Sequence, residues 1–526
     1  MSFVIYDLTF LVIFSLIVFI FLYRRRKNLK REGLMYLYRT QVGIKLINYI
    51  GKKYNKFLGF MDYVVIIAGY LMMAIGVWMF IQLLYIFIKL PDFVRMIKIP
   101  PIAPLIPYLP QIFNATWLPP FYFTYWIVAI AITAIIHEFS HGIFAKKEGV
   151  KIKTTGFAFL WGLGGIFLFF YNKFKKRVKP VYAVILSVII IIILGGIITG
   201  SLWYLSLLGV PYMKEIGIIL VLITLPFIGA FVEPDENQVK KMKIRKQLPF
   251  LIAGTFSNLI IAIIFFFIFW IFFSFAFVPS GVIFGSYTMA AINVSDITIV
   301  QDGFFVKFNG GLNLTEIEAE NKTYFATSGM LAQNSSLIAV FEDSPALRAG
   351  LSGVITEFNG IKIKNNAELR SQILKMKPGD SVEIKTLFNN SIKEHNVILG
   401  KRPDNSSAAY LGIATSASSS SGIMGKIRDA LSFFQDSQTY YQARWNEELV
   451  IFIYNLIWWI MIINISVAIF NMLPLGIFDG GRVFYLTALF FVKREETAKK
   501  IYKILTYIIV GIFLALTLLW LVYTIF

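Results

Sequence analysis

Only three histidines occur in the 526-residue chain, and two of them, His137 and His141, stand four apart in His137-Glu138-Phe139-Ser140-His141. On an α-helix, positions i and i+4 share a face. Two imidazoles placed this way can bind one Zn²⁺, and Glu138, one step along, can reach a zinc-bound water as general base. The run before the motif, Ile127 to Ile136, is dominated by apolar residues at helical length. An ionisable trio is costly in such surroundings and marks a functional site.

A catalytic zinc needs three protein ligands and one open position. The chain has no cysteine, and His395 lies in a segment that the topology below puts on the other side of the membrane. The third ligand is therefore expected to be a carboxylate from another span. Few lie in or beside apolar runs: Asp7, Asp62, Glu233 and Asp479. Asp479 is favoured. It follows Asn471-Met472-Leu473-Pro474-Leu475-Gly476-Ile477-Phe478 and precedes Gly480-Gly481, a stretch whose proline and glycines break a span and permit a tight turn. Irregular backbone at membrane depth is tolerated only when buried in protein or lining a wet cavity.

These residues must be held by membrane helices. The composition is 57% hydrophobic, 17% aromatic and only 15% charged, too apolar for one soluble core and incompatible with disorder. Lack of cysteine excludes a disulfide-rich secreted fold. Apolar runs long enough to span fall near 5–23, 61–88, 121–144, 181–206, 214–232, 249–277, 448–473 and 502–526. Residues 1–23 lack a basic leader and a small-residue cleavage site. Arg24-Arg25-Arg26-Lys27 follows them, so an uncleaved anchor is expected.

The net charge is +20, and its distribution orients the spans. With the N-terminus outside, the inner segments 24–57, 145–180, 233–248 and 476–503 carry 31 of the 50 Lys and Arg residues, whereas 89–120 carries three. The positive-inside bias accounts for the excess, and no nucleic-acid surface is needed. Under this topology His137, Glu138, His141 and Asp479 share the inner face. The long segment 278–447 lies outside. Its sequons at Asn293, Asn313, Asn321, Asn334, Asn389 and Asn405 agree with an exposed extracytoplasmic location.

Within that segment Asp343-Ser344-Pro345-Ala346, Ala349-Gly350-Leu351, Glu357-Phe358-Asn359-Gly360 and Lys377-Pro378-Gly379-Asp380 occur in order. The order resembles the PDZ domain of bacterial high-temperature-requirement proteases and of membrane metalloproteases, over about 335–402. Residues 284–334 read as an insertion. A Ser-rich linker at 416–422 and an amphipathic stretch at 424–446 return the chain to the bilayer.

Taken together, the sequence resembles the site-2 proteases, the intramembrane zinc metalloproteases. Their HExxH is matched by His137 to His141. Their NxxPxxxxDG is matched by Asn471, Pro474, Asp479 and Gly480, and their AGxxxN by Ala253, Gly254 and Asn258, with Thr255 where many members have proline. The likeness covers roughly 120–526. It implies His137, His141 and Asp479 as ligands of one catalytic Zn²⁺, Glu138 as general base and then proton donor, and Asn258 and Asn471 as groups that position the substrate strand or the oxyanion. The implied substrate is a single-span membrane protein in the lipid bilayer, regulatory in class and already cut by a first-cutting protease upstream.

The expected fold is thus a multi-pass α-helical membrane protein of about eight transmembrane helices with an inserted extracytoplasmic PDZ-like α+β domain. Its parts are a two-span extension with a basic cytoplasmic loop (1–120), a first core half (121–277), the outer domain (278–415), the linker and amphipathic segment (416–447) and a second core half (448–526). The Gly-rich stretch 153–167 is expected to form a re-entrant β-hairpin whose edge takes up an unwound substrate. The chain is expected to be integral to the membrane, the plasma membrane if prokaryotic, with its N-terminus and PDZ-like domain extracytoplasmic and its site towards the cytoplasm. A metal transporter and a non-catalytic PDZ scaffold are the alternative readings. The first needs polar residues along a whole path, and the second leaves the complete ligand set and base without a purpose.

Overall fold

The computed structural model describes the chain apart from residues 1–2, 161–172, most of 180–199, 208–226, 307–311, 403–407, 415–431 and a few other short positions. The chain divides into two units, Met1–Phe269 with Phe452–Phe526, and Trp270–Ile451.

Among the described residues, six helices are long and apolar enough to cross a membrane. They are α1 (Phe3–Arg24), α3 (Asn55–Lys89), α4 (Phe123–Lys147), α5 (Ile244–Ala276), α7 (Glu447–Asn471) and α9 (Glu495–Ile525). In all but α9 the apolar residues run all round rather than along one stripe, the pattern of helices surrounded by lipid or by other helices. Two shorter helices matter to the site: α2 (Ile44–Lys53) and α8 (Asp479–Val492).

Among the described residues, six of the eight expected spans are present as helices. The expected span at 181–206 lies largely outside the described residues. The one at 214–232 is described only at its end, and that end is strand β4 (Phe227–Pro234), not helix. The run Phe227-Ile228-Gly229-Ala230-Phe231-Val232 is short and apolar, and such a run satisfies a buried strand as well as a helix. Sheet neighbours decide it. β1 (Leu29–Glu32), β2 (Met35–Thr40), β3 (Ile152–Leu160) and β4 form one antiparallel sheet in that order. Tyr38 faces Phe157, and Phe157 faces Ala230. Gly156 is required there, because a Cβ would stand 2.1 Å from the Tyr38 carbonyl oxygen. Of the re-entrant β-hairpin expected at 153–167, the described residues show β3 alone; both its edges are paired, to β2 and β4, so neither is open to a substrate, and 161–167 lie outside the described residues.

The sheet draws two of its strands from the N-terminal extension. Arg39 on β2 donates to Glu233 on β4 at 3.1 Å, and Thr154 on β3 donates to the same carboxylate at 2.7 Å. Helix α2 packs closely on α4, with Ile47 against Gly142 and Gly51 over Lys146.

Among the described residues, the unit Trp270–Ile451 holds two short two-stranded sheets and two larger antiparallel ones. One joins β6 (Met289–Asn293), β10 (Leu337–Glu342), β9 (Lys322–Ala326), β8 (Leu312–Ala319) and β7 (Thr298–Val306) in that spatial order. The other joins β13 (Ser391–Ile398), β12 (Ser381–Phe388), β11 (Val354–Phe358), β5 (Phe277–Ile283) and β14 (Thr439–Ala443). Helix α6 (Asn366–Ile373) belongs with the second sheet. Asn365 caps it through the Glu368 N–H at 2.9 Å, and Glu368 in turn accepts the Lys364 N–H. The end of the segment expected to be amphipathic is therefore strand β14, paired to β5. Sequon residues Asn293, Asn313, Asn321 and Asn389 are exposed, and Asn334 and Asn405 lie outside the described residues.

Candidate metal centre

Helix α4 sets His137 and His141 one turn apart, and their Nε2 atoms come within 3.1 Å of each other. Asp479 enters from α8, of which it is the first residue. Its Oδ2 lies 3.2 Å from His137 Nε2 and 3.4 Å from His141 Nε2. The approach depends on the two glycines that follow. A Cβ on Gly480 would stand 2.2 Å from the Met472 carbonyl oxygen, and one on Gly481 would stand 2.2 Å from that of Leu475. Only glycine lets α8 start so close against the end of α7.

A single stripe of α5 supports the histidines from behind. Phe250, Gly254 and Asn258 recur every four residues and share a face. The Phe250 carbonyl accepts from His141 Nδ1 at 2.8 Å. The Asn258 side-chain amide lies 3.1 Å from His137 Nδ1 and is fully buried. As the amide stands, Asn258 Oδ1 has no partner. Turning it over presents Oδ1 to the ring Nδ1–H. Both rings then carry their proton on Nδ1 and their lone pair on Nε2, the state of a ligand histidine. Between these two contacts Gly254 leaves the space open, since a Cβ there would lie 2.4 Å from His141 Nε2 and 2.7 Å from His137 Nε2.

Two imidazole lone pairs and a carboxylate oxygen this close repel one another unless something positive lies between them. The three separations, 3.1, 3.2 and 3.4 Å, are close to the edges of a tetrahedron built on zinc bonds of about 2.0–2.1 Å, which are roughly 3.3–3.4 Å long. These residues fit a zinc ion.

Glu138 is half-buried and its Oε2 accepts the Val232 backbone N–H at 3.1 Å. Val232 is on β4, an edge strand of its sheet among the described residues, and this N–H is directed at Glu138. Sequence reasoning had no means of finding it, because a backbone amide carries no residue signature. The stripe Phe250, Gly254, Asn258 was open to detection from its four-residue period. Asn471 is the last residue of α7, half-buried, and precedes the turn that delivers Asp479. It is not among the residues whose side chains meet the histidines here. His395 is elsewhere, on β13, with Nε2 3.1 Å from Thr386 Oγ1.

The sequence pattern of peptidase family M50 matches residues 214–516, more than half of the chain. The chain belongs to peptidase family M50. This is the site-2 protease family, as the motifs led one to expect. The matched stretch includes Asn258, Asn471 and Asp479 and begins after the HExxH motif, which the fold brings to them. An uncharacterized protein of Methanocaldococcus jannaschii is 31% identical over 183 residues, 34% of this chain and 46% of the relative. The chain thus spans about half the length of the curated relative it matches.

Proposed function

We propose that this member of the family is an intramembrane zinc-dependent endopeptidase that hydrolyses a peptide bond in or near the transmembrane segment of a membrane-anchored protein. The observation that carries this reading is the convergence of His137 Nε2, His141 Nε2 and Asp479 Oδ2 within 3.4 Å, beside Glu138 and among membrane-length helices.

His137, His141 and Asp479 would hold the ion, and a bound zinc supplies Lewis acidity to the scissile carbonyl and makes water a nucleophile near neutral pH. The chain's own residues do the rest. Glu138 takes the attacking water's proton on a carboxylate oxygen and returns it to the departing amine nitrogen. The Val232 N–H holds the carboxylate while it waits. Asn258 and Phe250 keep the imidazoles in one tautomer and orientation. For Asn258 this supports a role behind His137 more than the substrate or oxyanion role that the family motif implies, and Asn471 retains that implied role.

A helical substrate hides its carbonyls in its own hydrogen bonds and must unwind, and an unwound segment needs new partners. Among the described residues β4 is an edge strand of its sheet, and its Val232 N–H meets Glu138. A segment paired along this edge lies beside the general base. The PDZ-like outer domain serves as a size filter or a reader of substrate C-termini, admitting proteins after a first cut. The positive-inside bias supports a cytoplasmic-side site and an extracytoplasmic outer domain.

The test is reconstitution of the full chain in liposomes with a tagged single-span protein. Cleavage is expected to stop with a zinc chelator, to return with zinc, and to fall on the order of 10²–10⁴-fold in Glu138→Gln at unchanged metal content. Cleavage that survives Glu138→Gln, or that needs no metal, refutes the proposal.

A further inference from the structure

The first span carries one carboxylate, Asp7, and it is almost wholly inaccessible, at 1% exposure. A charge inside an apolar helix is costly, so its partners say what it is for. Asp7 Oδ2 accepts the Phe123 N–H at 2.8 Å and the Tyr108 hydroxyl. Asp7 Oδ1 accepts the Thr124 N–H at 2.8 Å and the Thr124 hydroxyl at 2.5 Å. Three of these four donors belong to the first two residues of α4, the helix that bears His137, Glu138 and His141.

A helix begins with four N–H groups that have no partner inside it, and its N-terminus carries a partial positive charge. Tyr122, the residue in the cap position of α4, supplies no side-chain bond. Asp7 supplies it from another helix. The cap is therefore also a tether between α1 and α4.

The far end of α1 is fixed differently. Val18 and Leu22 are buried and cluster with Phe159 of β3. From Asp7 to Leu22 is fifteen residues, or about 22 Å of helix at 1.5 Å per residue. α1 thus works as a strut of set length. One end holds the start of α4, and the other rests on the sheet whose edge strand holds Glu138 through Val232. The second span holds the opposite end of α4. Lys147 pairs with Asp62 of α3, and Asn55 Nδ2 donates to the Lys147 carbonyl at 3.0 Å.

We propose that Asp7 is a positioning residue for the metal centre: by capping α4 from the first span it sets the height of that helix against α5, α8 and β4, and so the meeting of His137 and His141 with Asp479. This gives the N-terminal extension a part in the chemistry that no motif assigns to it. It rests on the zinc reading above.

The probe is Co²⁺ alone, titrated into the metal-stripped full-length chain in detergent micelles and followed by its visible absorption. Wild type is expected to bind one ion with a tetrahedral spectrum. Asp7→Ala is expected to bind at least ten-fold more weakly with a shifted band. Asp7→Glu, which keeps the charge, is expected to recover much of the affinity. Tyr108→Phe removes the one donor that is not on α4 and is expected to behave like wild type. Amide exchange in Asp7→Ala should rise at residues 123–126 and extend to 137–141. Wild-type affinity and spectrum in Asp7→Ala overturn the proposal, as does a loss in Tyr108→Phe as large as in Asp7→Ala. If Asp7→Ala is too poorly folded to titrate, Asp7→Asn decides: it keeps an acceptor but not the charge, and must bind Co²⁺ more weakly than Asp7→Glu. Failure of wild type itself to bind Co²⁺ or Zn²⁺ refutes the metal reading instead.

Discussion

Gly254→Ala is the sharpest probe of the centre, because it adds one methyl group and removes no polar atom. The new Cβ would lie 2.4 Å from His141 Nε2 and 2.7 Å from His137 Nε2, which are the two nitrogens offered to the metal. Ordinary contact needs about 3.5 Å or more, so one or both rings must retreat by roughly 1 Å. They are not free to do so. His141 is tied to the Phe250 carbonyl at 2.8 Å and His137 to Asn258 at 3.1 Å. A displacement of about 1 Å at a reacting centre costs on the order of 100-fold, equivalent to about 2.7 kcal/mol. Propensity works in the opposite direction, since alanine in a helix interior is about 1 kcal/mol better than glycine. Gly254→Ala should therefore leave the thermal midpoint of the metal-free chain unchanged or higher, while zinc affinity, measured by chelator competition, falls by about two orders of magnitude. Zinc affinity within two-fold of wild type would refute the geometry on which the whole site rests.

Two further predictions follow from neighbouring contacts. Asn258→Leu removes the group behind His137 at similar volume and should weaken zinc binding about 10–100-fold, the usual cost of losing a partner of a ligand histidine, with a smaller loss in Asn258→Asp; equal binding in all three would discard the role. The carboxyl of Glu233, on β4, is held below its ordinary range by the Thr154 hydroxyl and then by Arg39. A carboxylate whose folded pKa is depressed contributes stability above its unfolded value, and that contribution is lost as pH falls through the folded value. The thermal midpoint of wild type should thus fall on acidification below the ordinary glutamate range more steeply than that of Glu233→Gln, and parallel profiles would count against the ion pair.

Much of the site was legible because its signals are local. His137, Glu138 and His141 are fixed relative to one another by the helix repeat. Asp479 stood out because proline and glycines interrupt an apolar run just before it. Other features could not be read. The end of the expected fifth span is β4, and nothing in six apolar residues distinguishes strand from helix without the partner strand. Arg24 to Lys56 read as a charged loop that reports topology. Part of it is β1, β2 and α2, with Arg39 spent on Glu233 of β4, a pairing 194 residues long in sequence. Asp7 entered as one candidate ligand among four and proved to be the cap of another helix.

The sequence by itself determined the donor types, their spacing on α4, the membrane setting and the family motifs, because each follows from covalent geometry or from composition along a short stretch. Tertiary structure alone decided how closely Asp479 meets the histidines, which face of α5 stands behind them, and what holds Glu138. Those are distances through space between residues far apart in the chain, set by how closely helices can approach. Here that approach depends on the absence of a side chain at Gly254, Gly480 and Gly481.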